Sequence, residues 1–260
     1  MRTTINEQIQ QLNADFYTRF AKDFSATRQR IQPGVLSVLD QVSHSASILD
    51  LGCGNGYVLE TLSSRGHKGT YLGIDFSPEL IQIAQTTHQH PGAEFIAADL
   101  CSREWSLNLQ SKFDTIFCFA ALHHIPGEQV RQNLVKQAAS LMANNGQMII
   151  SVWNFLASQR LKKRILQWSA VDIDEKDVDP GDYLIDWRRG GSGIRYVHHF
   201  TEEELGKLAE SAGLKAVKTF YSDGENGKLG MYQHWVNTWQ GSAAGTARSA
   251  HNFDSLTTAW

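Results

Sequence analysis

Asp50-Leu51-Gly52-Cys53-Gly54-Asn55-Gly56 is the stretch from which the chain's architecture can be worked outward. It follows a short apolar run, Ser47 to Leu51, of strand type and precedes a helical pattern, Val58 to Ser64, so it occupies a strand-to-helix turn. Glycine is required in such a turn because the backbone must reverse sharply and let a ligand approach with no Cβ in the way. A dinucleotide fingerprint, G-x-G-x-x-G, would place its last glycine at Tyr57, whereas this loop reads D-x-G-x-G-x-G. The acid at Asp50 and the shifted third glycine suit a ligand with an amino-acid moiety and a sulfonium centre better than a pyrophosphate. Asp75 closes the next strand, nineteen residues past Gly56, and Asp99 ends the third in the same manner. A tight turn alone would explain the glycines. It would not explain acids at the carboxyl ends of three successive strands, the edge where open α/β sheets bind ligands.

Outward from the loop, apolar runs at Thr70 to Asp75, Glu94 to Leu100, Phe113 to Ala121 and Gln147 to Trp153 read as further strands. Helical stretches at Pro78 to Thr87 and Glu128 to Met142 lie between some of them. This rhythm predicts a mostly parallel sheet with helices on both faces. Upstream, Ile5, Ile9, Leu12, Phe16, Phe20 and Phe24 recur at spacings of three and four, one apolar stripe on a helix. Val35, Leu36, Val38, Leu39 and Val42 predict a second helix, so residues 1–46 form an N-terminal helical segment. After Trp153 the rhythm breaks. Residues 154–199 hold a basic piece, Arg160 to Arg164, an acidic stretch, Asp172 to Asp182, and a glycine-rich run, Arg188 to Arg195; they are expected to form an inserted cap. Thr201 and Glu204 make a capping box opening a helix that closes near Gly213. Leu214 to Tyr221 and Leu229 to Trp239 then predict a hairpin completing a seven-stranded sheet with an antiparallel last strand. The expected domain is residues 1–240, with 241–260 a loose tail.

Apolar residues make up 42% and charged residues 20% of the 260-residue chain, a composition that supports a packed core. No apolar run reaches the ~20 residues of a bilayer span, so no membrane association is expected. The opening MRTTINEQIQ lacks a secretory pattern; the expectation is a cytoplasmic protein. Cys53, Cys101 and Cys118 form no C-x-x-C pair, which argues against a disulfide framework or a thiolate zinc site. A net charge of −3 excludes a uniformly basic surface but not a local basic patch.

From Ile48 to Trp153 the chain resembles the class I S-adenosylmethionine-dependent methyltransferases, a Rossmann-like family. The resemblance implies S-adenosyl-L-methionine as cofactor, its methionine part on the glycine loop, its ribose on Asp75 and its adenine beside Asp99 and Leu100. It implies a binding set of Tyr17, Asp50, Gly52, Cys53, Gly54, Asn55, Gly56, Asp75, Phe76, Asp99, Leu100 and Phe119. Three further segments, FYTRFAKDFSATR (Phe16 to Arg28), LHHI (Leu122 to Ile125) and RYVHHFTEEEL (Arg195 to Leu205), are similar to the tRNA methyltransferases that esterify a carboxymethyl group on the wobble uridine, and to the methyltransferase half of AlkB-homologue tRNA enzymes. The acidic segment 172–182 and the tail depart from that pattern.

A carboxylate acceptor is ionised at neutral pH and needs donors rather than a base. Arg28, His123, Arg195, Tyr196 and His198 are the candidate catalytic residues. No acid or cysteine at ligand spacing accompanies the histidines, so no metal is expected. Arg160, Lys162, Lys163, Arg164, Arg188 and Arg189 are candidate tRNA contacts, and a small zinc-binding activator subunit is implied by the resemblance alone. A small-molecule O- or N-methyltransferase and a non-catalytic cofactor-binding scaffold stand as alternatives; the intact glycine loop with Asp75 and Asp99 speaks against the scaffold.

Overall fold

The computed structural model describes residues 3–27, 30–88, 90–188, 190–224 and 226–238. Helices α1 (Thr3–Thr27) and α2 (Pro33–Leu39) come first, followed by β1 (Ile48–Leu51), α3 (Tyr57–Ser64), β2 (Tyr71–Asp75), α4 (Pro78–Thr87), β3 (Ala93–Ala97), β4 (Phe113–Phe119), α5 (Glu128–Ser140) and β5 (Met142–Trp153). The insertion contributes α6 (Gln159–Lys162), β6 (Ile165–Leu166), β7 (Asp182–Trp187) and β8 (Gly193–His198). The chain then closes with α7 (Glu202–Ser211), β9 (Leu214–Ser222) and β10 (Gly230–Asn237).

The main sheet has seven strands in the order β3-β2-β1-β4-β5-β10-β9. Pairings among β1 to β5 are parallel, and β10 runs antiparallel to both β5 and β9. The predicted antiparallel last strand is therefore present, wedged between β5 and the edge strand β9. Alternation along the strands builds two cores. Leu49, Leu51, Ile116, Cys118, Met148 and Ile150 face one side with α5 and α7, while Ile48, Phe117 and Ile149 face the other with α2, α3 and α4. Strand order reverses between β1 and β4, and that switch point places a crevice beyond their carboxyl ends. Among the described residues no helix is long and apolar enough to cross a membrane.

Several details depart from the sequence reading, β5 among them, which begins at Met142 rather than Gln147. Strand β3 stops at Ala97, because the Asp99 carboxylate accepts the Cys101 amide at 2.8 Å and curls the chain into a turn. Asp99 thus lies just beyond the strand. The insertion, in which no strand was expected, folds as a three-stranded antiparallel sheet, β6-β7-β8. It packs on α1 through Ile9, Trp168, Ile173, Leu184 and Tyr196. Residues 241–260 lie outside the described residues.

Asp223, at φ +69° in the β9–β10 turn, joins the far edge of the sheet to α2. Its carboxylate accepts the Gly34 amide at 2.9 Å and the Tyr232 hydroxyl at 2.6 Å. Asp223→Ala leaves both buried donors unanswered and is expected to cost roughly 1–3 kcal/mol in urea unfolding, with the m-value unchanged. A loss within experimental error would show that the turn, not the carboxylate, holds this corner.

Candidate active site

A cavity of about 570 Å³ opens at the switch point, within the ~300–1,000 Å³ range of small-molecule sites. Asp50, Gly52, Cys53, Gly54 and Asn55 line it from the glycine loop, Asp75 and Phe76 from the end of β2, Asp99 and Leu100 from beyond β3, Phe119 from β4, and Tyr17 from α1. Gly56 is absent from the lining and instead turns the chain into α3 at φ +81°. The structure therefore brings eleven of the twelve expected cofactor residues to one cavity.

Hydrogen bonds hold this lining in place. One Asp75 oxygen accepts the Gly54 amide at 2.9 Å and the other the Ser77 amide at 3.0 Å. Gly54 lines the cavity at φ +56°, a left-handed backbone conformation that favours glycine. Asp50 is buried against the Tyr71 hydroxyl at 2.6 Å. Burial pushes its carboxyl up to about 7, with Tyr71 opposing and Asp75 adding to the rise. Burial also raises Asp75, against the amides of Ser77 and Gly54, and it raises the Cys53 thiol, so Cys53 is no thiolate nucleophile. Tyr17 stands edge-on to Phe76 and to His124, each at 5.5 Å.

These residues fit S-adenosylmethionine by their chemistry. Two adjoining buried acids suit a cationic ligand, a strand-end carboxylate suits a ribose diol, the Gly54 cradle suits close approach, and Phe76, Leu100 and Phe119 offer apolar surface.

The expected catalytic set does not gather here. His123 is buried behind the cavity, where its Nδ1 accepts the Trp153 amide at 3.3 Å and its ring stacks on that indole. Arg195 is buried with its guanidinium 4.4 Å from the Trp153 ring centroid and 5.3 Å from that of Trp187. Tyr196 and His198 turn into a separate buried cluster around Asp182. None of the four lines the cavity, and Arg28 lies outside the described residues. His124 lines it instead, with Nδ1 3.1 Å from the Tyr196 carbonyl. Gln10, Asn13, Ala14 and Arg30 also line it. The α1 residues were within reach of sequence: Gln10, Ala14 and Tyr17 repeat at spacings of four and three beside the apolar stripe. Among the described residues no group of three or more histidine, cysteine or acidic side chains could hold a metal ion.

Asp50 supplies a test. In the free cavity it holds its proton up to about pH 7, and the α-ammonium of a zwitterionic amino-acid end placed beside it would favour the ionised form. S-adenosylhomocysteine is therefore expected to release a proton on binding and to bind more weakly as pH falls below about 7. Titration calorimetry in buffers of differing ionisation enthalpy reads both, and Asp50→Asn is expected to abolish the proton release. Asp75→Ala is expected to weaken binding by roughly 1.5–3 kcal/mol, the scale of hydrogen bonds to a charged group. Unchanged affinity in a folded Asp75→Ala protein would remove that residue from the ligand.

Comparison with known proteins points the same way. A family model described as a methyltransferase domain matches residues 5–219. A tRNA (carboxymethyluridine(34)-5-O)-methyltransferase from Arabidopsis thaliana is 29% identical over 64% of this chain, and that match spans 38% of the plant protein. A ubiquinone biosynthesis O-methyltransferase from Chromobacterium violaceum is 25% identical over 75% of this chain and 77% of its own. The crystal structure of a SAM-dependent methyltransferase from Methanosarcina mazei superposes with a TM-score of 0.60 at 21% identity, covering 80% of this chain and 98% of that one. The model match covers the glycine loop, the acids and the whole insertion, and the chain belongs to the methyltransferase domain family, as an enzyme built on a Rossmann-like sheet.

Proposed function

We propose that this enzyme methylates tRNA, esterifying a carboxymethyl group on a modified wobble uridine; the described residues of 154–199, expected as a cap, contribute nothing to the cavity lining and brace α1 instead. Its methyl donor is S-adenosylmethionine. The observation that carries the RNA reading is a concentration of positive charge in a chain of net charge −3. Arg160, Lys162 and Lys163 are exposed on and just after α6, and Arg164 is half-buried beside them. This group lies shortly after the carboxyl end of β5, at the cofactor edge of the sheet. Arg188 pairs with Asp186, which reduces its value as a phosphate contact, and Arg189 lies outside the described residues. The tRNA relative supports the same reading. A zinc-binding activator rests on resemblance alone.

The donor supplies a methyl group activated on a sulfonium, and the protein's share is alignment and exclusion of water. Asp75, Asp50 and the Gly54 cradle would hold the donor. Arg30, a cation lining the cavity, would orient an acceptor carboxylate. That carboxylate is ionised at neutral pH and reacts without a general base.

A second reading has its own observation. The Tyr196 carbonyl can only accept, so it places the His124 proton on Nδ1 and makes Nε2 the basic nitrogen. A neutral imidazole of that tautomer serves a hydroxyl acceptor, as in a small-molecule O-methyltransferase.

Incubation with bulk tRNA and a labelled donor, followed by nucleoside mass spectrometry, separates the two. The tRNA reading expects an alkali-labile methyl ester on a uridine. Labelling of a hydroxylated aromatic with none in tRNA would replace it. Replacing Lys162, Lys163 and Arg164 together with Gln is expected to flatten the salt dependence of RNA binding by about 0.7–0.9 slope units per lost phosphate contact. S-adenosylhomocysteine binding should stay intact. An unchanged slope would return these residues to solvated surface.

A further inference from the structure

Behind the cavity wall lies a buried cluster that the transfer chemistry does not use. Asp182, at the start of β7, accepts through one oxygen from the Tyr196 hydroxyl and from His198 Nδ1, both at 2.6 Å. The other His198 nitrogen lies 2.7 Å from the Glu204 carboxylate of α7. Carboxylates only accept, so both imidazole nitrogens must donate and the ring is an imidazolium. Arg131 of α5 completes the group, 3.9 Å from Glu204, with hydrogen bonds to the Ile125 carbonyl at 3.1 Å and the Tyr196 hydroxyl at 3.4 Å. Two negative and two positive charges cancel only while His198 keeps its proton. The Asp179 carboxylate adds a further negative charge that acts on Tyr196, which strengthens the demand for the His198 proton. The Phe200 ring lies edge-on at 4.6 Å, Asp179 gives its backbone amide to Asp182, and His199, lowered by burial and by His198, turns to Asn154.

Tyr196 carries this cluster to the cavity. Its amide donates to Asn13 of α1 at 2.9 Å, and its carbonyl accepts from His124 at 3.1 Å. Asn13 in turn donates to the His124 carbonyl at 3.0 Å. Asn13 and His124 both line the cavity. One tyrosine therefore has its hydroxyl in the ion cluster and both backbone groups on residues that shape the methyl-transfer site.

We infer that Asp182, His198, Glu204 and Arg131 are positioning residues for the cofactor cavity, acting through Tyr196 to hold α1 and His124 at its wall, whichever acceptor the enzyme uses. The protonated state of His198 is the one that holds. Burial opposes its charge, but the hydrogen bonds that it donates to Asp182 and Glu204 outweigh it and raise the pKa above the ordinary histidine value. A raised pKa in the folded state means that the stabilisation is complete at low pH and lost as pH rises through the folded value. The cavity wall is then expected to loosen on the alkaline side, opposite to the acid-side weakening set by Asp50.

The test measures S-adenosylhomocysteine affinity across pH together with hydrogen exchange of α1 amides near Asn13. Wild type is expected to lose affinity and α1 protection on the alkaline side. His198→Gln, which cannot carry the charge, is expected to bind about tenfold more weakly at neutral pH, the scale of one buried charge-assisted hydrogen bond, with the alkaline loss gone. Should that variant fail to fold, Tyr196→Phe carries the test. It keeps every charge and removes only the hydroxyl's two bonds, to Asp182 and from Arg131, and it is expected to lose affinity and α1 protection together. A merely structural cluster would lower the melting temperature while leaving affinity and α1 protection of the folded variants at wild-type values, and that result would overturn the inference. Failure here leaves the RNA reading untouched, since no RNA enters the experiment.

Discussion

The carboxylate of Asp75 is the fixed point of the cofactor edge. One oxygen holds the amide of Gly54, in the loop after β1, and the other holds the amide of Ser77, the residue that caps α4. A single side chain thus ties together a strand end, a glycine loop and a helix start, which are the three parts an open α/β site requires. The loop can meet that demand because Gly52, Gly54 and Gly56 all take positive φ. A Cβ at Gly52 would collide with Ala121. The arrangement leaves Asp50 and Asp75 buried together, each raised by burial. Strain of this kind belongs to functional sites, where a ligand's charge answers it.

Helix α1 closes that edge with two faces, the apolar stripe on the insertion and the neighbouring face on the cavity. Ile9 packs against the insertion, Phe16 and Phe20 pack with Trp187, and Gln10, Ala14 and Tyr17 line the cavity. The insertion therefore meets the cofactor site largely through α1. Arg195 fits that arrangement. Buried among Phe16, Trp153 and Trp187, its guanidinium stacks the insertion onto α1 and the end of β5, a role for which the planar group is suited.

What sequence reveals depends on whether a residue's partner is near it in the chain. Strands β1 to β5 were legible because their burial alternates or runs unbroken, and the cofactor residues because glycines and acids recur at strand ends. The insertion's strands were not. Leu184 and Ile185 are both buried, since β7 is covered on either side by different clusters, and that erases the period of two. Asp182 reads as part of a solvated acidic run, yet its partners are Tyr196 and His198, fourteen and sixteen residues on. Tyr196, His198 and Arg195 have the residue types of a catalytic set, and those types look the same in sequence whether they face a ligand or each other. His123 and His124 show the limit sharply: adjacent rings in one short turn, of which the fold sends only the second to the cavity.

The distribution of charge bears on turnover. Asp50, Asp75 and Asp99 line the cavity, while the cations of α6 stand apart from it on the protein surface. Under the proposed reading a polyanionic substrate would be gripped at the periphery, where its phosphates are kept from the acids, and a cationic donor inside. In the proposed reaction the transfer takes one positive charge from the donor side and one negative charge from the acceptor side. The acids lose the sulfonium they attracted, and Arg30 loses the carboxylate. Coulomb attraction in a partly buried site is worth far more than in water, so its disappearance on both sides at once weakens the hold on both products. On that reading the same buried acids that make the empty cavity costly would bind the donor more tightly than the spent cofactor, which would favour release after each transfer without any movement of the fold.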